Sequence, residues 1–580
     1  MKNLFKYAAS YWKAMIAIVL ILFIQAYCDL SLPAYTSDIV NVGIQQGGIE
    51  DEIPEQIAQE EMDKLLLFVS EEDGQKVMDA YEEDTTSYEK DAYVLKESVS
   101  GDEEQMKELQ DILKLPMMMT TGFESGSDMT KEVESQLKSS LPDGTVSEDT
   151  TIFDIMKMLP GEQRTAMVEK MGEQMDDLPD TILDQAAVSY CKSVYQDLGM
   201  DMEKIQTGYL AKTGGMMIAL AFLGMAASVL VGFLASRVGA SAGRDLRGRV
   251  FHKVVGFSNH EFNQFSTASL ITRSTNDIQQ IQMLIVMLLR MVLYAPILAI
   301  GGVFQVMKTN VSMSWIIGLA VIIIACMVLL LFVVAMPKFK MLQKLVDKLN
   351  LVTREILTGL SVIRAFGREE KEEQRFDDAN RDLTKTMLFT NRVMTFMMPG
   401  MMMIMNVLTV GIVWFGAHKI DQGTMQVGSM TAFITYAMMI VMAFLMLAAM
   451  SIMLPRAAVA AERIDEVIRT QSSIAEPMQP EKIKEHRGVI CFSHVNFRYP
   501  NAQEDVLSDI DFVAEPRKTT AIIGSTGCGK STLVNLIPRL YDVTGGSITM
   551  DGIDIRKLAM AELREEIGFV PQKGVLFSGT

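Results

Sequence analysis

Six long stretches with almost no charged residues constrain this chain more than any other feature. They cover residues 14–33, 213–236, 278–307, 309–337, 393–417 and 422–455, and Asp29 and Arg290 are the only charged residues inside them. A helix needs about 20 apolar residues to cross the hydrocarbon core of a bilayer. The mean hydropathy of +0.20 over 580 residues is also unusual for a soluble protein. The sequence therefore predicts an all-α transmembrane domain of six helices.

Basic residues are concentrated in three of the segments that flank these stretches, namely 1–13, 237–273 and 338–392. Cytoplasmic loops of membrane proteins carry an excess of Lys and Arg, so these segments are predicted to be cytoplasmic. Six alternating spans then place residues 46–206 on the extracytoplasmic side and everything after residue 455 in the cytoplasm. The predicted localisation is the cell membrane, as a multi-pass protein.

Residues 50–205 form an acidic block between the first and second predicted spans. This segment has 40 acidic and 13 basic residues, whereas the rest of the chain has 32 acidic and 40 basic residues. Apolar residues at helical spacing, such as Ile152, Ile155 and Met156, predict a small, mostly helical extracytoplasmic insertion. Two interpretations of its charge stay open: a solvated surface, or a surface that gathers cations.

Cysteine and histidine usage excludes several classes of protein. The five cysteines have no CxxC pair and the five histidines do not cluster, so neither a disulfide scaffold nor a zinc site is predicted. The net charge of −19 comes from the acidic block. It therefore carries no information about affinity for nucleic acid, and no nucleic-acid partner is predicted.

After the last predicted span the sequence becomes that of a soluble protein. Residues 456–487 are polar and are predicted to form a linker with helical character. From residue 488 onward, β-type runs at 489–498, 506–513 and 519–523 are separated by turns, which is typical of an α/β domain.

A phosphate-binding loop follows the third of these runs. It has the pattern GxxxxGK[ST] between a predicted strand and a predicted helix, and its residues are Gly524, Ser525, Thr526, Gly527, Cys528, Gly529, Lys530, Ser531 and Thr532. Glycines allow backbone N–H groups to converge on phosphate oxygens. Lys530 supplies a cation to the β and γ phosphates, and the Ser531 hydroxyl is placed to ligate Mg²⁺. The sequence therefore predicts a P-loop NTPase domain with ATP and Mg²⁺ as cofactors.

Three further residues have a predicted role. Tyr499, at the end of a predicted strand, has an aromatic face that could stack on adenine, although a turn is the simpler interpretation of Phe-Arg-Tyr-Pro. Gln572 follows the strand-like run 567–570 and is predicted to reach the metal or the attacking water, as a catalytic residue together with Lys530. Asp29 lies within a span, where a carboxylate is costly; it contacts substrate, pairs with Arg290, or lies at the outer interface.

The order of spans, linker and phosphate loop resembles the half-transporters of the ABC exporter family, the multidrug and lipid-flipping kind. Residues 497–500 (FRYP) are similar to the family's adenine-stacking loop, 524–532 to its Walker A motif, 570–572 (VPQ) to its Q-loop and 576–580 to the segment after it. Residues 261–277 and 355–366 resemble its two coupling regions. The resemblance covers residues 1–45 and 207–580. It gives five predicted segments: 1–45 with the first span, the insertion 46–206, spans two to six in 207–455, the linker 456–487, and the N-terminal part of an ATP-binding domain in 488–580.

The resemblance implies a transporter made of two half-transporters. Their ATP-binding domains close around ATP, and the cavity between the spans then switches from an inward-facing to an outward-facing state. The predicted function is ATP-driven export of amphipathic small molecules of the multidrug type, by alternating access. The implied partners are membrane lipid, an amphipathic or cationic substrate and a second half-transporter. A heterodimer is favoured over a homodimer because two elaborate outer domains would crowd the exit.

Two alternative functions stay open. One is export of peptides or lipids, with the outer domain as a docking module, and the other is an ATP-binding membrane sensor without transport. The sequence stops eight residues after Gln572, before the signature motif, Walker B aspartate, catalytic glutamate and switch histidine that the family implies. It is therefore expected to be incomplete at its C-terminus, with ATP hydrolysis belonging to the longer protein.

Overall fold

The computed structural model describes residues 9–84, 91–125, 151–159, 164–168, 170, 179–500, 502–572 and 574. The chain divides into two compact units. One contains Met1–Ile16, Phe233–Leu289 and Met450–Thr580, and the other contains Ala17–Gly232 and Arg290–Ala449. The predicted segment 576–580 lies outside the described residues.

Within the described residues, six helices are long and apolar enough to cross a membrane, which confirms the predicted number of spans. We call them spans 1 to 6: Trp12–Gln45, Met202–Val255, Thr267–Thr309, Val311–Thr358, Glu369–Asp421 and Val427–Ala448. Their α-helical segments are Trp12–Asp38, Met202–Val255, Thr267–Thr272, Ile278–Met287, Tyr294–Thr309, Ser314–Thr358, Glu369–Thr395, Met397–Asp421 and Val427–Arg469. Short π-helical turns occur at Ile39–Gln45, Arg273–Asp277 and Leu288–Val292.

The helix of span 6 continues to Arg469 without a break. The first part of the predicted linker is therefore helical, and the residues from Thr470 to Val489 are irregular apart from an isolated bridge between Glu481 and Leu558. The chain between the last span and the ATP-binding region is thus helical as far as Arg469 and irregular from Thr470 to Val489.

Spans 1 and 6 are tied together by a buried hydrogen bond. Asn41 Oδ1 accepts the backbone N–H of Gly428 at 2.7 Å, and Asn41 Nδ2 donates to Ser37 Oγ at 3.2 Å. A Cβ at Gly428 would lie 2.4 Å from the backbone oxygen of Ser37. Glycine therefore lets the two helices approach, and the Asn41 amide oxygen satisfies a buried backbone N–H at the start of the span 6 helix.

The acidic block between spans 1 and 2 folds as a small domain with helices and one sheet. Strands β1 (Gln56–Ala58), β2 (Tyr81–Asp84) and β3 (Ala92–Leu95) form an antiparallel sheet in the order β1-β3-β2. The described helices are Gln59–Leu66, Glu71–Ala80, Glu97–Ser100, Glu103–Ser125, Ile152–Met158 and Asp180–Asp197. Helices predominate, as the sequence indicated, and the sheet is a feature that the sequence analysis missed.

This domain has its own apolar core, in which Met62, Leu65, Leu113, Met117 and Tyr190 are at most 1% exposed. Full burial of a side chain of this size contributes about 1.5–3 kcal/mol. Two buried tyrosines also fix the start of the domain, because the Tyr81 hydroxyl donates to the Pro54 backbone oxygen at 2.7 Å and the Tyr195 hydroxyl accepts the Glu55 N–H at 2.8 Å. The described part of the insertion therefore has a packed core of its own.

The ATP-binding region begins with an antiparallel sheet. Strands β4 (Ile490–Phe497), β5 (Leu507–Ala514), β6 (Gly545–Met550) and β7 (Ile553–Asp554) have the order β5-β4-β6-β7. Helices Lys530–Leu536 and Met560–Glu565 follow the phosphate loop and β7. β4 and β5 lie within one residue of the predicted runs, which confirms these two strands.

The predicted strands at 519–523 and 567–570 are wrong, since the structure has no strand in either segment. Ile523 is 89% exposed and Val570 is 91% exposed. A strand is stabilised by hydrogen bonds to a neighbouring strand, and no strand among the described residues pairs with either segment. Apolar content alone therefore did not determine the structure here.

Asp551 fixes the backbone at the start of β4, because its carboxylate accepts hydrogen bonds from three consecutive backbone N–H groups. Its carboxylate lies 3.1 Å from the nitrogens of Arg487 and Gly488 and 2.8 Å from that of Val489. Burial opposes the charge, but the hydrogen bonds outweigh it and lower the pKa of Asp551. A carboxyl with a lowered pKa stabilises the folded state above about pH 4, and this contribution is lost as the pH falls through the folded-state pKa.

We expect Asp551→Asn to lower the free energy of unfolding of this region at pH 7 by about 1 kcal/mol, since the amide nitrogen then faces backbone donors. Asparagine tolerates the positive φ of 48° at this position, so the change tests the charge and not the backbone. Urea unfolding of the full chain, followed by hydrogen exchange in β4 to β6, measures this free energy for the parent and the variant. The difference between the two proteins should disappear below about pH 4. A difference that persists unchanged at low pH would contradict this role of the charge.

Candidate nucleotide-binding site

The phosphate loop is an exposed turn between β5 and helix Lys530–Leu536. Gly527 and Gly529 have φ angles of 89° and 90°, which favour glycine. A Cβ at Gly529 would also lie 2.9 Å from Leu507 Cδ2. The two glycines are therefore required by the backbone path, and residues 521–528 are exposed.

Lys530 is folded into this loop. Its ammonium group donates to the backbone oxygen of Gly524 at 2.9 Å and to that of Ser525 at 2.7 Å. Cys528 Sγ lies 3.7 Å from the same nitrogen. The only fixed positive charge of the nine-residue motif is thus held where the loop residues converge, which is the arrangement expected for binding a polyphosphate.

The structure brings Ser531 and Gln572 together although they are 41 residues apart. Ser531 Oγ lies 3.4 Å from Gln572 Oε1. A hydroxyl and an amide oxygen are hard oxygen donors of the kind that Mg²⁺ takes. The donor set therefore fits the metal that the motif implies, and the ligand roles of both residues stay predictions.

Tyr499 lies beside the C-terminal end of the phosphate loop. Its hydroxyl is 2.9 Å from Thr532 Oγ1. The ring makes edge contacts with Phe497, at 4.9 Å between centroids, and with Tyr541, at 5.3 Å. A cavity of about 460 Å³ adjoins these rings and is also lined by His260. Stacking on adenine stays a prediction, but the tyrosine is in reach of the loop.

Asp29 in span 1 has a neutral partner. Its carboxylate accepts a hydrogen bond from the hydroxyl of Tyr294 in span 3, and no ion pair joins it to Arg290 among the described residues. The Arg290 guanidinium instead lies beside Gly232, 3.9 Å from where a Cβ would be. Of the three interpretations of Asp29, pairing with Arg290 is therefore not what the structure shows, and contact with substrate stays a proposal.

Sequence reasoning missed the contacts made by the short helix Asn259–Gln264 between spans 2 and 3. Glu261 accepts hydrogen bonds from Ser258 and Ser473, and Asn263 donates to the Tyr541 hydroxyl at 3.5 Å. The signal for half of this arrangement was present, because Ser258-Asn-His-Glu261 is a capping-box sequence. The partner at Ser473 left no such signal.

The fold and the site define a class: a multi-pass membrane protein with a phosphate-loop nucleotide-binding domain in the same chain. Residues 181–444 match the family model described as the ABC transporter transmembrane region, and residues 507–580 match the model described as ABC transporter. Together the two matches cover more than half of the chain. The transmembrane match begins inside the segment 46–206 that the sequence analysis assigned to the insertion.

Three relatives extend this result. An uncharacterized ABC transporter ATP-binding protein of Mycobacterium tuberculosis is 40% identical over 378 residues, which are 65% of this chain and 65% of the relative. A fatty acid ABC transporter ATP-binding/permease protein of the same species is 31% identical over 339 residues, or 58% of this chain and 53% of the relative. An ATP-dependent lipid A-core flippase of Pseudomonas aeruginosa is 29% identical over 360 residues, or 60% and 58%.

The chain belongs to the ABC transporter family, with its transmembrane region and its ATP-binding domain in one polypeptide. It spans less than two thirds of the length of each of these three relatives.

Proposed function

We propose that the protein is one half of a dimeric ABC exporter that uses ATP to move amphipathic small molecules, of the multidrug type, out across the cell membrane by alternating access. The observation that carries this proposal is the exposed phosphate loop around Lys530 in the same chain as six spans. In this proposal the ATP-binding domain is cytoplasmic and the insertion is extracytoplasmic, as the distribution of basic residues indicates.

In this proposal, different residues of the site bind different parts of ATP. Residues 524–532 bind the phosphates, with Lys530 opposite the β and γ phosphates, and Tyr499 stacks on adenine. Ser531 and Gln572 would hold Mg²⁺, which would neutralise charge on the phosphates. Gln572 and Lys530 then position the γ-phosphate and the water that attacks it.

In this proposal, the active transporter is a dimer of this chain and a second half-transporter. Helix Leu360–Ala365, in the connection between spans 4 and 5, has no buried residue. Val362 is 60% exposed, and Phe366, at its C-terminal end, is 76% exposed. Apolar side chains left exposed on a short helix are typical of a surface that another chain covers. The partner is a different half in our proposal, because two outer domains of this size would crowd the exit.

Lipid export is the alternative with specific support. Two of the relatives are named as a fatty acid ABC transporter and an ATP-dependent lipid A-core flippase. In this alternative the insertion is a docking or release module. Export of peptides lacks comparable support. An ATP-binding sensor would differ from an exporter because no transported substrate would stimulate its ATP hydrolysis.

Mg²⁺-dependent ATP turnover of the full-length protein, purified alone in lipid nanodiscs, tests the proposal. ATP turnover that is lost in Lys530→Ala would support ATP hydrolysis at the phosphate loop. It would also indicate that the protein is active as a homodimer, and not only as the heterodimer that we propose. Folded protein that binds ATP without turnover would indicate a missing partner half, and co-expression with candidate halves should then restore activity. Protein that neither binds nor hydrolyses ATP would overturn the proposal.

Cys528 gives an independent test of nucleotide occupancy. The thiol is exposed and lies in the phosphate loop, so alkylation by a maleimide should block ATP binding by steric exclusion and stop turnover. ATP at about 100 times its Kd leaves about 1% of the loop free, so alkylation should slow by about 100-fold. Mass spectrometry of the Cys528 peptide measures this rate.

The control for this experiment is Cys528→Ala, which leaves the other exposed cysteine, Cys326, in place. Its turnover should resist the maleimide. Equal inhibition of the variant and the parent would show that the sensitive thiol is elsewhere.

A further inference from the structure

Glu261 is a buried carboxylate, 3% exposed, whose two oxygens both have hydrogen-bond donors. Oε2 accepts from the backbone N–H of Ser258 at 3.0 Å and from its hydroxyl at 2.5 Å. Oε1 accepts from the backbone N–H of Ser473 at 3.0 Å. Burial raises the pKa of Glu261, but these hydrogen bonds outweigh the effect of burial and lower the pKa. The side chain is therefore charged at neutral pH.

The two oxygens of this carboxylate serve different segments of the chain. The bonds to Ser258 form a capping box at the start of helix Asn259–Gln264, which depends only on local sequence. Ser473 is 212 residues away, in the irregular segment between the helix that ends at Arg469 and strand β4. The two serine hydroxyls are also 3.0 Å apart. Capping of the helix therefore does not account for the contact with Ser473.

The same short helix also contacts the nucleotide site. Asn263 Nδ2 donates to the Tyr541 hydroxyl at 3.5 Å. The Tyr541 ring lies 5.3 Å from the ring of Tyr499, whose hydroxyl is 2.9 Å from Thr532 Oγ1. Direct contacts therefore run from the phosphate loop to the helix that carries Glu261.

We propose that Glu261 is a positioning residue that fastens the irregular segment around Ser473 to helix Asn259–Gln264, so that ATP binding is transmitted to the spans. This inference rests on the proposed function. An irregular segment absorbs displacement unless it is fixed at a point, whereas a rigid element passes displacement on. The charged hydrogen bonds of Glu261 supply that fixed point, and loss of the bond to Ser473 leaves ATP binding intact but uncoupled.

Hydrogen exchange of the full-length transporter in nanodiscs tests this inference without a known cargo. In the parent protein, ATP with Mg²⁺ and vanadate should protect residues 524–532 and also change exchange in the turn 422–426 between spans 5 and 6. Glu261→Gln is isosteric, but its amide nitrogen faces donors whichever way it turns, so one of the two connections is lost. We expect protection of 524–532 to persist and the response of 422–426 to fall by about tenfold.

Two serine variants separate coupling from folding. Ser258→Ala removes one capping donor and keeps the bond from Ser473 to Glu261, and Ser473→Ala keeps its backbone donor. Both should retain the response at 422–426. Exchange of residues 258–264 without ATP shows whether the short helix stays folded in each variant.

Three results would count against the inference, and they are distinguishable. A parental response at 422–426 in Glu261→Gln would overturn it. Loss of the response in Ser258→Ala, to the same extent as in Glu261→Gln, would show that helix capping alone is responsible and would also overturn it. Absence of protection at 524–532 in the parent protein would overturn the proposed function itself, and the inference with it.

Discussion

Lys530→Ala is expected to reduce ATP turnover by about 10²–10³-fold, because one fixed charge that stabilises a developing anion is worth that much in other enzymes. The ammonium group donates to the backbone oxygens of Gly524 and Ser525, so it is already placed in the loop before nucleotide binds. Alanine keeps the helix that begins at this residue and removes only the cation. Phosphate release from the full-length protein in nanodiscs measures the loss, and ATP-dependent transport should fall with it.

The matched control is Lys518→Ala. Lys518 is an exposed lysine in the same region that contacts Glu515, and its side chain is 70% exposed. Its removal should leave turnover within about twofold of the parent, as for most surface substitutions. If Lys530→Ala retained more than a few per cent of parental turnover, the phosphate loop would not be the site of hydrolysis.

Lys114→Met is expected to destabilise the insertion by about 2–4 kcal/mol, the cost of leaving partly buried carboxylates without their cation. Lys114 Nζ lies 2.8 Å from Glu52 Oε2 and 2.7 Å from Asp184 Oδ1, and the three side chains are 21%, 25% and 22% exposed. Burial lowers the pKa of Lys114, but the bonds to both carboxylates outweigh it and raise the pKa. Hydrogen exchange in helices Glu103–Ser125 and Asp180–Asp197 measures the free energy of opening.

Lys107→Met is the control for this prediction, because Lys107 is exposed on the same helix. It should change the free energy of opening by no more than about 0.5 kcal/mol. Combining Lys114→Met with Glu52→Gln and Asp184→Asn should recover part of the loss, since the repulsion between the two carboxylates is then removed. An effect of Lys114→Met no larger than that of Lys107→Met would contradict the role assigned to the ion pairs.

The features that could be predicted from sequence are those that local composition determines. Runs of about 20 apolar residues gave six spans because a bilayer accepts little else. The glycines of 524–532 gave a phosphate loop because the backbone angles at Gly527 and Gly529 exclude most other residues. In both cases the physical requirement acts on a continuous piece of chain.

The features that could not be predicted depend on which distant segments meet. The run 519–523 has the composition of a strand, but a strand also needs a neighbour to pair with. The bond from Ser473 to Glu261 joins segments 212 residues apart, and a serine in an irregular segment gives no indication of its partner. For Asp29 the burial cost was predicted, but its partner could not be, since the structure supplies a tyrosine hydroxyl from span 3 where the sequence suggested a cation.

The two ends of the insertion meet at a narrow neck, and this has a consequence for how the chain could have acquired it. A Cβ at Gly48 would lie 2.7 Å from Gln206 Cα, and the Gln206 side chain donates to the Gly43 backbone oxygen at 2.8 Å. Chain ends that are this close allow a folded module to be inserted between them, or removed, without stretching the flanking helices. A link of a few residues between Gly48 and Gln206 would therefore be long enough to reconnect spans 1 and 2 in place of the insertion.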